Sequence, residues 1–352
     1  MIRLIFILAL ITTRISAQNL DGIIKFIKDN PKKASIVLIE NSKEVLNFNG
    51  NQSMPLASAA KTIIAIEFSN QVVAKKIDAN QSIAISDLSK YYIPFTDGGA
   101  HSAWLKSLQK KKTDSVSLLQ IAQGMIRFSS NANTEYLEDL LGLANINRNI
   151  RTLKLQQHSP YYYFTAGALT TCLKPDNLAE SIWAKQLEAM PMNEYIKRCE
   201  TNHIKLKTDS TFIKTFSTIN LPFAIQKIWS DRLVASNATD YASIMQKINS
   251  RNYFKPEIQK IIDQIMEWPM EYPGNQAAFK HLGQKGGSTA FILTDAFYAT
   301  EKSGTSLACA FFFNNLTEKE KLMIQGNFAN FEAGIITDAA FRQKLIAALK
   351  QN

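Results

Sequence analysis

Residues 54 to 61 read Met-Pro-Leu-Ala-Ser-Ala-Ala-Lys, and an apolar run follows. Ser58 and Lys61 are three positions apart, which in a helix beginning near Ser58 puts hydroxyl and amine on one face, a turn apart. A serine becomes a nucleophile when a neighbouring base takes its proton, and a lysine amine serves when burial brings its pKa towards neutrality. Ile63, Ile64, Ile66 and Phe68 would bury such a helix and keep water from the pair. The chemistry indicated is acyl transfer with Ser58 as nucleophile. The pattern is short, however, and Ser107 with Lys110 repeats it, so the elements around it have to discriminate.

The 352 residues are 46% hydrophobic and 20% charged, a globular composition with ample material for a core. Arg3, the apolar run Leu4 to Ile11 and the small residues Ser16 and Ala17 predict a cleavable secretory signal over residues 1–17. No cysteine lies nearby to carry a lipid anchor, and no later stretch is long and apolar enough to span a membrane. A bacterial protein delivered to the periplasm or the medium is expected. Net charge is +10, and without Arg3 and Arg14 it is +8, from 38 basic against 30 acidic residues. Lysines such as Lys110, Lys111 and Lys112 are scattered and lack interleaved aromatics, so they read as a solvated surface and no nucleic-acid partner is expected. Cys172, Cys199 and Cys309 allow at most one disulfide. Cys309 reads as a small core hydrophobe, which leaves Cys172 and Cys199 as the available pair, joined or not. His101, His158, His203 and His281 show no ligand spacing, so neither a metal nor a cofactor is expected.

The elements that must position this chemistry follow from periodicity. Residues 19–30 form an amphipathic helix, residues 34–40 and 44–48 a β-hairpin, and the Ser58 helix runs to about Lys76. Residues 77–112 are irregular, with an aromatic-bearing loop from Tyr91 to Ala100 that walls a cleft or packs over the core. Helices at 115–127 and 134–143 are broken by Phe128-Ser129-Ser130-Asn131-Ala132-Asn133, which brings Ser129 and Asn131 to one corner. Residues 145–272 are mostly helical. Lys285, Gly286, Gly287 and Ser288 lead into a strand at 289–300, a second strand spans 306–314, and a helix closes the chain at 331–350. Strands at both ends and helices between them predict an α/β (α+β) fold: an antiparallel sheet built from both chain ends, flanked by helices, with an inserted all-helical lobe.

Three elements thus stand in order: Ser58-x-x-Lys61 opening a helix, Ser129-x-Asn131 in a break between helices, and Lys285-Gly-Gly entering a strand. This set resembles the penicillin-recognising serine hydrolases of the β-lactamase and DD-peptidase superfamily, most closely the class A β-lactamase-like branch. Two decoys are set aside by context. Ser250-Arg251-Asn252 lies in a polar stretch, and Lys302-Ser303-Gly304 falls in the turn after a strand.

The resemblance covers nearly the whole chain after the signal. It implies a three-layer sandwich and a single catalytic domain over 18–352, with a sheet lobe at about 18–57 and 275–352 and a helical lobe at about 58–274. Ser58 would form an acyl-enzyme with Lys61 as proton acceptor or relay, and Ser129 would pass the proton to the leaving nitrogen. Asn131 would hold the substrate amide, and Lys285 would anchor a substrate carboxylate. Gly287 and Ser288 would line the substrate, with the Ser58 and Ser288 N–H groups as an oxyanion hole. The implied partner is a small molecule, a β-lactam or a peptidoglycan-like amide, bound by a monomer.

Two features depart from the family. Gly286 stands where a Thr or Ser hydroxyl is usual, and no Glu-x-x-Leu-Asn segment occurs between Asn145 and Asn193 to supply a deacylation base. Glu135, one helical turn after Asn131, is the candidate in its place. The missing segment brings in two alternatives: a D-alanyl peptidase or esterase on the same scaffold, and a penicillin-binding protein that stays acylated.

Overall fold

The computed structural model describes residues 17–350 apart from residues 95, 112–113, 210 and 213–221. The signal segment expected at 1–17 lies outside the described residues up to residue 16. The chain divides into two compact units. One holds Ala60–Lys154 and Pro160–Val234; the other holds the described residues up to Ala59, Leu155–Ser159 and the described residues from Ala235 onward.

The second unit is built on a five-stranded antiparallel sheet. Its strands are β1 (Ala34–Glu40), β2 (Lys43–Phe48), β3 (Phe279–Ser288), β4 (Leu293–Glu301) and β5 (Ser306–Phe313), in spatial order β2-β1-β5-β4-β3. Asn41 and Ser42, with φ of 49° and 64°, make the two-residue turn that joins β1 to β2, a geometry whose twist suits a hairpin. Both chain ends meet where β1 pairs with β5, Ile36 opposite Phe311. Alternate residues of β5 face opposite sides. Phe311 and Phe313 pack with Phe328 and Phe331 under the helices Ala17–Asp29, Glu318–Thr337 and Ala339–Lys350. Phe312 meets Tyr241 of the helix Ala238–Asn249 at 5.8 Å between ring centroids. With both faces covered, the strand reads as an unbroken apolar run rather than an alternating one.

One strand departs from expectation. Residues 289–300 do not form a single strand; β4 begins at Leu293, and residues 279–288 are themselves β3. Three glycines had hidden β3, because glycine weakens a strand signal. Gly283 has a physical reason to be there: a Cβ at that position would lie 2.5 Å from the Tyr298 ring, which crosses the cross-strand position.

Among the described residues the first unit is helical, with one short ladder between Ser82–Ala84 and Ser115–Ser117. Its central helix, Lys61–Val73, buries Ile63, Ile64, Ile66 and Phe68 on nearly every side. The helix Leu118–Arg127 starts at a capping box between Ser117 and Gln120, and Ser130 caps Asn131–Leu141 by accepting from the Asn133 N–H at 3.2 Å. Caps of this kind are worth about 1 kcal/mol each. Cys172 and Cys199 are both free thiols, and Thr170 Oγ1 donates to Cys199 Sγ at 3.4 Å. Among the described residues no helix is long and apolar enough to cross a membrane.

Candidate active site

In the helical unit the chemistry gathers at Lys61. Its side chain is fully buried, and Nζ donates to Asn131 Oδ1 at 2.7 Å, the Ser129 carbonyl at 2.8 Å and Ser129 Oγ at 3.3 Å. The Phe164 ring lies 5.5 Å from the same nitrogen. Local backbone makes this possible. Ser129 adopts φ of 67°, an unfavourable left-handed conformation for a residue with a side chain, between the end of one helix and the Ser130 cap of the next. That kink turns both its carbonyl and its hydroxyl onto the amine. Thr165 Oγ1 donates to the Asn131 carbonyl at 3.3 Å, and Asn131 Nδ2 donates to the Thr96 carbonyl at 3.4 Å, so the corner is braced from two further segments.

Ser58 lies on a 3₁₀ turn, Ala57–Ala60, that continues directly into the Lys61–Val73 helix. Ala57 before it has φ of 46°, a second left-handed residue next to a candidate catalytic serine. In the sheet unit this turn is pinned to the end of β3. Thr294 Oγ1 donates to the Leu56 carbonyl at 2.8 Å, and the Gly287 carbonyl oxygen lies 3.3 Å from the same hydroxyl. A Cβ on Gly287 would stand 2.4 Å from Ser58 N and 2.7 Å from the Leu56 carbonyl oxygen. Only glycine lets the strand pass this close to the serine main chain. Ser288, the next residue, is exposed at the strand end. Thr294, Phe164 and Thr165 carry no sequence signal that would have marked them.

Lys285 sits on β3 two residues earlier, almost fully buried, its Nζ donating to the Gly286 carbonyl at 2.9 Å. Burial lowers its pKa to about 7, against the opposing negative charge of Asp295. Asp295 on β4 and Glu332 on the helix Glu318–Thr337 are themselves buried, and burial pushes both carboxyls upward. The strand place differs from expectation: Lys285 to Ser288 end a strand rather than lead into one.

Glu135 lies on the helix that begins at Asn131, one turn further along. It is fully buried, and both of its oxygens are engaged: Oε2 accepts from the Thr165 N–H at 2.7 Å, and Oε1 meets His203 Nδ1 at 2.8 Å. His203 bridges on to Asp139 at 3.2 Å and is stacked on Tyr163, ring centroids 3.5 Å apart. Burial pulls the imidazole down, but bonds to Asp139 and Glu135 and their negative charges outweigh it, so its pKa is raised. One turn along, Glu138 accepts from the Phe164 N–H at 3.1 Å, and burial raises its carboxyl well above the ordinary range. These carboxylates fix the start of the helix Phe164–Cys172, whose first residue covers Lys61.

Residues 17–327 match the model of the beta-lactamase enzyme family. Among solved structures, a beta-lactamase from Sphaerobacter thermophilus superposes with a TM-score of 0.56 at 14% identity, over 90% of this chain and 96% of that one. A representative class A beta-lactamase from Bacteroides cellulosilyticus gives 0.52 at 14% identity, over 97% of this chain and 100% of its own. A mutant of PBP-A, solved as an acyl-enzyme complex with penicillin G, gives 0.52 at 16% identity, over 90% and 96%. No curated protein matches the chain. At these identities the solved structures speak for the fold, and the sequence match, which runs over well more than half of the residues, places the chain in the beta-lactamase enzyme family.

Proposed function

We propose that the protein is an exported serine hydrolase that acts on a β-lactam or a related amide through an acyl-serine on Ser58. Ser58 Oγ attacks the carbonyl carbon while Lys61, as proton acceptor or relay, draws off its proton. The C–N bond then breaks and the leaving nitrogen receives a proton through Ser129. Asn131 holds the substrate amide, and the N–H groups of Ser58 and Ser288 receive the developing oxyanion, each donor being worth about 3–4 kcal/mol. Lys285 supplies positive potential for a substrate carboxylate. The observation that carries the reading is the convergence of Ser129 Oγ, the Ser129 carbonyl and Asn131 Oδ1 on the buried Lys61 amine. The absence of a Cβ at Gly287, beside Ser58 N, supports the oxyanion assignment.

A second reading is favoured by a specific observation. Glu135 spends both oxygens on Thr165 and His203, so it is poorly placed to activate a deacylating water. A penicilloyl-enzyme that persists follows, as expected of a non-turning-over penicillin-binding protein, or of a D-alanyl peptidase or esterase on this scaffold that turns over only its own substrate. The intact mass of the protein, without its signal segment, is to be followed with a penicillin, alongside Ser58→Ala. A mass gain of one penicillin, absent from the variant, is expected. Decay of the adduct within seconds, with loss of free drug, would instead indicate an efficient β-lactamase. No adduct at all would overturn β-lactam recognition, with Gly286 as the physical reason.

A further inference from the structure

We propose that the helical unit holds a second ligand site, for a small α-amino-acid zwitterion, in the pocket between the helices Lys61–Val73 and Leu143–Thr152. The pocket measures about 200 Å³. An apolar cavity of about 150 Å³ already accepts a six-membered ring, so the space suits a compact organic molecule. Its inner wall carries the carboxylate of Glu67, which is only 8% exposed. Gln71 Nε2 donates to one oxygen at 2.8 Å and Asn149 Nδ2 to the other at 2.7 Å. Those amides are themselves held, Gln71 Nε2 also donating to the Leu141 carbonyl at 2.9 Å and Asn70 Nδ2 donating to Asn149 Oδ1 at 3.3 Å.

Among the described residues no Lys, Arg or His pairs with Glu67. Buried carboxylates are ordinarily matched by a cation, and this one has accepted two hydrogen bonds of the roughly four that a carboxylate can take. The missing cation is one that a ligand can bring. At the rim the complementary imbalance occurs. Lys76 and Arg148 line the same pocket, both exposed, and neither forms an ion pair among the described residues. An unmatched anion inside and two unmatched cations outside are the complement of a molecule with an ammonium at one end and a carboxylate at the other. The modest volume keeps the side chain small. None of these residues has a part in the acyl-transfer chemistry, so the proposal stands or falls independently of it.

Calorimetric titration of the protein with alanine tests this, with ethylamine and propionate as controls that each carry one of the two charges. Saturable alanine binding with a Kd of about a millimolar is expected, as suits so few atoms, and each control should bind at least about tenfold more weakly. Glu67→Gln and Arg148→Glu should each weaken alanine by about tenfold or more, since each removes one charge-assisted contact. Arg148 is exposed at the rim, so its variant is read even where Glu67→Gln fails to fold. Absence of saturable alanine binding would overturn the proposal. So would ethylamine or propionate binding as tightly as alanine, or alanine affinity unchanged in Arg148→Glu.

Discussion

Two buried lysines, one in each unit, are treated in opposite ways by their surroundings. Lys61 in the helical unit has three oxygen acceptors and an aromatic ring on its amine, all delivered by side chains or by a strained turn. Lys285 in the sheet unit bonds to its neighbour's own carbonyl, and burial brings its pKa to about 7. The helical unit thus provides oriented side-chain groups suited to moving protons. The sheet unit works by close approach: a strand with no Cβ at Gly287 lies against Ser58 N. Side-chain networks tolerate small backbone shifts, whereas main-chain donors demand steric fit, so the two regions should fail differently when altered.

The largest effect is expected at the proposed proton-handling corner around Lys61. Lys61→Ala should slow penicillin acylation by about 10³-fold, in the range general acid–base groups contribute. Its orphaned acceptors on Ser129 and Asn131 should also cost about 1–3 kcal/mol in urea denaturation. Retention of acylation in this variant would break the assignment of the helical unit as the proton handler.

Gly287→Ala tests the steric half. A methyl 2.4 Å from Ser58 N forces backbone apart, so acylation should fall by about 10²-fold, the scale of one lost oxyanion donor. Overpacking should lower stability by about 1–3 kcal/mol. Gly326→Ala is the control: it is exposed in the helix Glu318–Thr337, has nothing within 4 Å of its Cβ, and should stabilise by about 0.5–1 kcal/mol. Equal behaviour of the two variants would refute the close-approach argument.

A smaller effect separates the two lysines by pH. Lys285 is a cation below about 7 and neutral above it, so the second-order rate with an anionic penicillin should fall as pH rises through that value. In Lys285→Met the slope near pH 7 should vanish and the rate should stay at the lower level. A profile identical to wild type would show that Lys285 does not set the potential at the substrate.

The smallest expected effect concerns stability. The folded-state pKa of His203 is raised, so its ionic ties to Glu135 and Asp139 contribute fully below the ordinary imidazole value of about 6.5. That contribution is lost as pH rises through the raised folded value. The urea midpoint should therefore decline from pH 6 to alkaline pH, and the decline should be shallower in His203→Gln. An unchanged slope would mean that His203 is neutral throughout.

Much of this was legible as residue type and spacing, and the rest was not for identifiable reasons. The apolar run of β5, the hairpin of β1 and β2, and the helices on either side of Ser129 follow from periodicity alone. The glycine-bearing β3 did not, because its glycines answer to Tyr298 and Ser58 rather than to strand propensity. Ser58, Lys61, Ser129 and Asn131 stood out by their order along the chain. What holds them did not: the left-handed backbone at Ala57 and Ser129 and the hydroxyl of Thr294 depend on tertiary neighbours. Helical spacing put Glu135 one turn beyond Asn131, yet spacing could not reveal that His203, 68 positions later, and Thr165 claim its two oxygens.

Ser58, rather than the equally suggestive Ser129, is the serine proposed to carry the acyl group. Tryptic digestion after brief exposure to a penicillin, with fragmentation of the modified peptide, decides this directly. The penicilloyl group is predicted on Ser58 within the peptide spanning residues 44–61. A penicilloyl group on Ser129 would contradict the account, because that hydroxyl would then be the nucleophile that Lys61 serves.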